Sequence, residues 1–266
     1  MEKQKESSSF TFWEHLDELR SLIVKVIVAV VLFGVAAFIF KDQLFAIVLA
    51  PKEENFITYD LFRFIGEKLS LGEFAMRAFS VPLINTGLAG QFLIHVRVAL
   101  YAGLLIASPY ILYQLFRFIS PALYVNEKKY ALRLVGSGYL MFLIGVLLCY
   151  LLIFPLTFRF LGTYQVSVEI PNMITLHSYI DTLMMLCLMM GIVFEIPVLC
   201  WLFAKFGLLT PDFMRKYRRH AIVIILVIAA IITPTADIFT LLLVALPVYL
   251  LYEASILIVR NVKKRN

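Results

Sequence analysis

Apolar residues gather into six long stretches separated by polar connections, near Ser21–Phe40, Val98–Phe118, Leu134–Phe158, Tyr179–Phe206, Ala221–Thr233 and Ile238–Val259. A helix needs about 20 apolar residues to cross about 30 Å of hydrocarbon. Five of the stretches reach that length, and each predicts a transmembrane helix. Ala221–Thr233 offers only 13 residues before Pro234. It would rise about 20 Å, so the fifth helix is expected to be short, with a thinned bilayer or neighbouring helices beside it.

Two acidic segments interrupt this pattern. "TFWEHLDELR", residues 11–20, precedes the first span. Thr11 and Glu14 have capping-box spacing, Phe12, Leu16, Leu19 and Ile23 form one helical stripe, and Glu14, Asp17 and Glu18 project opposite it. Residues 1–20 therefore read as a cytoplasmic interfacial helix. Its carboxylates are either a solvated face with Arg20 as local partner or a recognition surface. In "FRFISPALYVNEKKY", residues 116–130, Ser120 and Pro121 signal a helix start and Asn126 is placed to cap the third span. Glu127 there either pairs with Lys128 or Lys129 or serves as a binding acid.

A third acid lies inside a span. In "GIVFEIPVLCW", residues 191–201, Glu195 stands two positions before Pro197. Placing an acid at mid-span costs about 3 kcal/mol, and such residues face a polar cavity or partner. Pro197 removes the hydrogen bond to the Val193 carbonyl and bends the helix. Glu195 is then a hydrogen-bonded core acid, a proton relay, or a polar docking point in a notch.

Composition narrows the class. The chain is 62% hydrophobic and 16% charged, with mean hydropathy +0.90. A soluble domain this apolar has too little polar surface to cover itself, which predicts an all-α integral membrane protein, one membrane domain over residues 1–266. Lys and Arg cluster on alternate connections: Lys3, Lys5 and Arg20; Lys128, Lys129 and Arg133; Arg215, Lys216, Arg218 and Arg219; Arg260, Lys263, Lys264 and Arg265. The short connections Gly162–Ser178 and Pro234–Asp237 carry none. Both termini, including the 260–266 tail, are thus expected in the cytoplasm. Residues 41–97 become a long outer loop containing the amphipathic "DLFRFIGEKL". The net charge of +6 reflects the basic flank and gives no reason to invoke nucleic acid.

Chemistry is sparse. Cys149, Cys187 and Cys200 lie inside spans, the four histidines have no ligand spacing, and no phosphate loop or zinc motif occurs. No nucleophile–base pair can be assembled, so neither an enzyme nor a metal or other cofactor is expected. The first span follows an acidic segment and lacks a small-residue cleavage site, so it is not read as a cleaved signal peptide.

The segments "HLDELR" (15–20), "SPYILYQLFRFISPALYVNEKKY" (108–130), "FEIP" (194–197) and "ITPTAD…LPVYLLYE" (232–253) resemble, in order, the motifs of TatC, the receptor subunit of the twin-arginine translocase. The resemblance runs from about residue 12 to 260. It implies a cupped bundle of six transmembrane helices with both termini cytoplasmic and short fifth and sixth spans. It also implies a bacterial cytoplasmic (inner) membrane location and export of folded proteins using the proton motive force. The implied partners are twin-arginine signal peptides, small single-span subunits of the TatA and TatB type, the lipid bilayer and further copies of the chain.

Carried over by motif position, Glu18 and Glu127 match the signal-binding acids, and Arg20, Phe118, Pro121, Leu123 and Tyr124 fall on the same surface. Glu195, before Pro197, matches the intramembrane glutamate. Asp237 matches the acid of the last hairpin, with Thr240 beside it. One additional residue separates Pro234 from Asp237, Leu241 stands where the family often has an amide, and the first outer loop is longer than usual. A carboxylate binds the planar guanidinium fork in a two-point geometry that lysine cannot reproduce, which suits two acids to paired arginines. The competing class is a proton- or ion-coupled secondary transporter using Glu195 and Asp237. Transporter halves often repeat, and Pro109, Pro155, Pro197 and Pro247 do not pair between halves here.

Overall fold

The structure, a computed structural model, describes residues 12–68, 81–119, 131–167, 169–170, 172–235 and 237–263. Helix α1 (Phe12–Ile39) is a single helix of 28 residues. The acidic segment therefore continues into the first apolar stretch without a hinge, since neither Gly nor Pro falls before Gly34. After Phe40 the chain forms α2 (Lys41–Leu49), a short 3₁₀ turn (Ala50–Lys52) and α3 (Ile57–Lys68).

Helix α4 (Gly90–Ile119) packs antiparallel along α1 and begins inside what the hydropathy pattern assigned to the outer loop. Glycine makes the crossing close: a Cβ at Gly103 would lie 2.5 Å from the Gly34 nitrogen and the Val30 carbonyl oxygen. Pro109 lies within α4 and cannot donate to the Leu105 carbonyl. The Ser108 hydroxyl donates to that oxygen instead at 2.7 Å, and the helix stays continuous.

The next crossing joins α5 (Ala131–Leu148), a π-helical turn (Cys149–Ile153) and α6 (Phe154–Thr163). Pro155 causes the widened turn, because it frees the Leu151 carbonyl. Thr58 Oγ1 on α3 donates to that carbonyl. The Tyr59 hydroxyl lies 2.9 Å from the Pro51 carbonyl and 3.0 Å from that of Pro155. Burial pushes the Tyr59 phenol well above its ordinary pKa, so it remains a donor.

The chain then forms α7 (Leu176–Val193) and α8 (Ile196–Lys205), turns through Gly207 at φ 71°, and continues as α9 (Pro211–Lys216). A parallel pair, β1 (Leu83–Ile84) with β2 (Ile174–Thr175), ties the connection between α3 and α4 to the start of α7. The last hairpin is α10 (Arg218–Ile232) and α11 (Ile238–Lys263).

Among the described residues, five helical stretches are long and apolar enough to cross a membrane: Leu16–Ile39, Gly90–Phe118, Leu134–Thr163, Leu176–Lys205 and Ile238–Val262. Helix α10 has 15 residues, a rise of about 22 Å, and is the short element between two long ones. The short sixth span implied by the resemblance is not found, for α11 runs 26 residues. Ile153, Phe154, Ile180, Leu186, Met190, Val244 and Val248 form the centre of the core. There α5 and α7 meet glycine on each side. A Cβ at Gly145 would lie 2.6 Å from the Met190 carbonyl, and one at Gly191 would lie 2.7 Å from the Phe142 ring. The antiparallel packing leaves two ends, one bearing α9 and one bearing α3.

Candidate functional site

At the α9 end, the first turns of α1 and the last turns of α4 enclose a cleft of about 40 Å³ lined by Glu18, Ser21, Lys25, Gln114, Arg117 and Phe118. Glu18, Ser21 and Lys25 follow one another at helical spacing on α1, as do Gln114, Arg117 and Phe118 on α4. Two sequence motifs separated by about a hundred residues thus share one site. Gln114 is buried and donates to the Tyr110 hydroxyl at 2.6 Å, which fixes the floor.

Glu18 Oε2 is buried and has no hydrogen-bond partner among the described residues. An unpaired carboxylate oxygen beside an open cleft is an acceptor held for a donor, since leaving it unpaired costs about 1–3 kcal/mol or more. The described charges here are Glu18, Lys25 and Arg117, so a doubly cationic ligand requires a further acid. Arg20 is exposed and turned about 200° around α1 from Glu18, outside the cleft. Glu127, Pro121, Leu123 and Tyr124 lie outside the described residues.

The second polar feature is the break between α7 and α8. The Phe194 N–H still donates to Met190 O at 3.0 Å, but the Glu195 N–H donates to Ile192 O at 3.0 Å, one residue short of the helical partner. Pro197 enforces this, because it cannot donate to Val193. The Glu195 side chain lies over Gly138 of α5, where a Cβ would meet Oε2 at 3.0 Å and Oε1 at 3.4 Å, with the Phe116 ring at 3.5 Å. Glu195 Oε1 is buried without a partner among the described residues. Beyond the break, Ser137 and Met141 of α5, Pro197, Val198 and Trp201 of α8, and Ile258 of α11 line an apolar groove of about 380 Å³. The break therefore presents a carboxyl group near an open groove between three helices. Helix α8 spans 10 residues, so Glu195 lies about 15 Å along the axis from the α9 end.

Asp237 has a local role. Its Oδ1 accepts from the Thr240 N–H at 2.7 Å, which caps α11. Asp237 Oδ2 and the hydroxyl of the fully buried Thr240 have no partner among the described residues. Ile258, which shares the groove with Pro197, stands about 30 Å along α11 from this cap. Glu195 is only about 3 Å along its helix from Pro197, so Glu195 and Asp237 are more than about 20 Å apart in depth and do not form one ion site.

Sequence reasoning singled out Glu18, Phe118, Glu195 and Pro197 but missed Gln114, Lys25 and Gly138. The first two carry a legible signal, Gln114 one helical turn from Phe118 and Lys25 two turns from Glu18. Gly138 carries none, because only the packing of α5 on α7 and α8 brings it to Glu195.

A family model described as Sec-independent protein translocase protein (TatC) matches residues 14–247. The Sec-independent protein translocase protein TatC of Blattabacterium sp. subsp. Periplaneta americana is 33% identical over 263 residues, covering 98% of this chain and 98% of that protein. The protein of the same description from Aquifex aeolicus is 33% identical over 244 residues, covering 91% of this chain and 92% of its own. A crystal structure of the twin-arginine translocase receptor TatC superposes with a TM-score of 0.74 at 33% identity, covering 94% of this chain and 100% of that one.

Proposed function

The chain belongs to the TatC family and is a receptor subunit of the Sec-independent protein translocase, and on that footing we propose that the cleft between α1 and α4 is where it takes the arginine pair of a signal peptide. The observation that carries this is the buried, partnerless Glu18 Oε2 beside open space. Glu18 accepts one guanidinium, and Glu127, eight residues after the end of α4, supplies the second carboxylate. Arg20, Phe118, Pro121, Leu123 and Tyr124 shape the surrounding surface. Glu195 and Pro197 form a polar docking point, in the wall of the groove, for a small single-span subunit or the inserted signal. Asp237 and Thr240 form a second contact at the far end.

In this reading the protein crosses a bacterial cytoplasmic membrane six times, α10 being the short fifth crossing. The α9 end and both termini face the cytoplasm, and several copies assemble with TatA- and TatB-type subunits. The basic residues of α9 and the start of α10, Arg215, Lys216, Arg218 and Arg219, support that orientation.

The test is the affinity of purified protein for a twin-arginine peptide and its twin-lysine analogue. Glu18→Ala is expected to weaken the first by about 10- to 100-fold, the equivalent of about 1.5–3 kcal/mol for a charge-assisted hydrogen bond. The unaltered protein is expected to discriminate against the lysine analogue. Equal affinity of the variant and the parent would remove Glu18 from the site.

A further inference from the structure

Helix α3 has three distinct faces. At about 100° per residue, Thr58, Tyr59, Phe62 and Gly66 share one sector, Asp60, Arg63 and Glu67 a second, and Ile57, Leu61, Phe64 and Ile65 a third. The sectors are centred about 120° apart. The first is packed against the bundle, with Thr58, Tyr59 and Gly66 buried. The charged sector is exposed, and Arg63 pairs with Asp60 within it. The third is exposed as well and apolar up to Lys68, which falls in the same sector at the last position of the helix: Ile57 is 63% exposed, Leu61 53%, Phe64 60% and Ile65 40%.

A helix lying against a protein in water needs only two faces, one apolar and one polar. A third apolar face, unpartnered among the described residues, requires a second apolar medium. The depth of α3 indicates which one. Thr58 bonds the Leu151 carbonyl and Tyr59 approaches that of Pro155, so α3 touches the α5–α6 crossing between those two residues. Leu151 lies about 25 Å along the axis from Leu134, where that crossing becomes apolar. Hydrocarbon is about 30 Å thick, so this level is the outer boundary of the membrane core. The crossing continues beyond α3 to Thr163, about 12 Å past Pro155. Helix α3 is therefore seated below the tip of the helix it docks on. Close to the same level, Ile47 on α2 and Leu151 and Leu152 on the crossing are also exposed apolar residues. Lys68 ends the helix with its ammonium 5.7 Å from the Phe64 ring, the placement of a cation that reaches from an apolar face toward the headgroups.

We propose that α3 is an interfacial membrane helix, laying Ile57, Leu61, Phe64 and Ile65 among the lipids of the leaflet at the α3 end while Asp60, Arg63 and Glu67 face water. Thr58 and Tyr59 then couple a lipid-anchored helix to the π-helical turn of the third long crossing. The proposal does not depend on the signal-peptide cleft.

Nitroxide labels on single cysteines at Leu61, Phe64, Asp60 and Glu67 test it, in the full chain with Cys149, Cys187 and Cys200 replaced by alanine. In vesicles of phosphatidylethanolamine and phosphatidylglycerol, labels at Leu61 and Phe64 are expected to collide with oxygen several-fold more than with a water-soluble nickel chelate. Asp60 and Glu67 are expected to show the reverse. Nickel access at all four positions would put the stripe in water and overturn the proposal. Labels at Leu61 and Phe64 reached by neither reagent would show that protein covers the stripe, a second copy or another part of the chain, and would overturn it too. If the cysteine-free chain does not insert, Phe64→Trp and Asp60→Trp in the unaltered chain make the same comparison. Lipids brominated high on the acyl chain should then quench the first well beyond the background of Trp13 and Trp201, and should not do so for the second. Equal quenching of the two would count against the proposal.

Discussion

The Glu195 carboxylate rests on the bare α-carbon of Gly138, where a Cβ would come within 3.0 Å of Oε2. An acid inside a span thus occupies a space left open by the glycine of a helix about sixty residues earlier in the chain. The pair makes the substitution series at position 138 informative. Gly138→Ala needs the flexible carboxylate to move by a few tenths of an ångström and should keep most export of twin-arginine cargo. Gly138→Leu fills the space and should reduce export as far as loss of the acid does. Cargo export at matched protein levels measures this. A fully active Gly138→Leu would separate the contact from the function.

The glutamate itself is tested by its amide. Glu195→Gln keeps the shape and an acceptor oxygen and removes ionisation, so much of the export should survive. Glu195→Ala leaves the partner group unpaired, a loss of about 1–3 kcal/mol. It should clearly impair export or association with the small subunits. A proton relay predicts equal, complete loss in both, since glutamine cannot titrate.

Close helix contact at Gly145 should be measurable as stability. A methyl group there would lie 2.6 Å from the Met190 carbonyl oxygen, and backbone cannot swing aside as a side chain can. Gly145→Ala is expected to cost about 1–3 kcal/mol. Thermal unfolding in detergent, compared with Gly136→Ala, which meets nothing within 4 Å, isolates the packing effect.

Helix capping gives a smaller expected change. Asp237→Ala loses the 2.7 Å bond from the Thr240 N–H, worth about 1 kcal/mol at a helix N-terminus. Asp237→Asn keeps an acceptor there and should restore the stability. If asparagine restores thermal stability but not export, the carboxylate acts on a partner as well as on its own helix.

Orientation is open to thiol labelling. A cysteine at Gln165 should react with an impermeant reagent added outside intact cells, and one at Lys264 only after lysis. The opposite pattern would put the Glu18 cleft on the wrong side for signals made in the cytoplasm.

The order of residues was enough to settle the class and the punctuation of this protein. Apolar runs near 20 residues require a membrane solvent, and a chain in hydrocarbon has to satisfy its backbone internally, so helices follow from hydropathy. Proline lacks an N–H, so the break at Pro197 was legible locally, as was the lone acid at Glu195, whereas the widened turn at Pro155 was not, since α4 stays continuous through Pro109. Helix ends were less so. Hydropathy could not show that α4 starts at Gly90 or that α1 runs unbroken from Phe12, because polar turns of a helix outside the hydrocarbon look like loop. Which faces meet came from the folded bundle alone: Glu18 with Gln114 and Phe118, Glu195 with Gly138, Thr58 with Leu151. Those meetings depend on the rotation and axial register of helices far apart in the chain. In each the helix is held by the close packing of its neighbours, and that packing leaves no periodic trace in the order of its own residues.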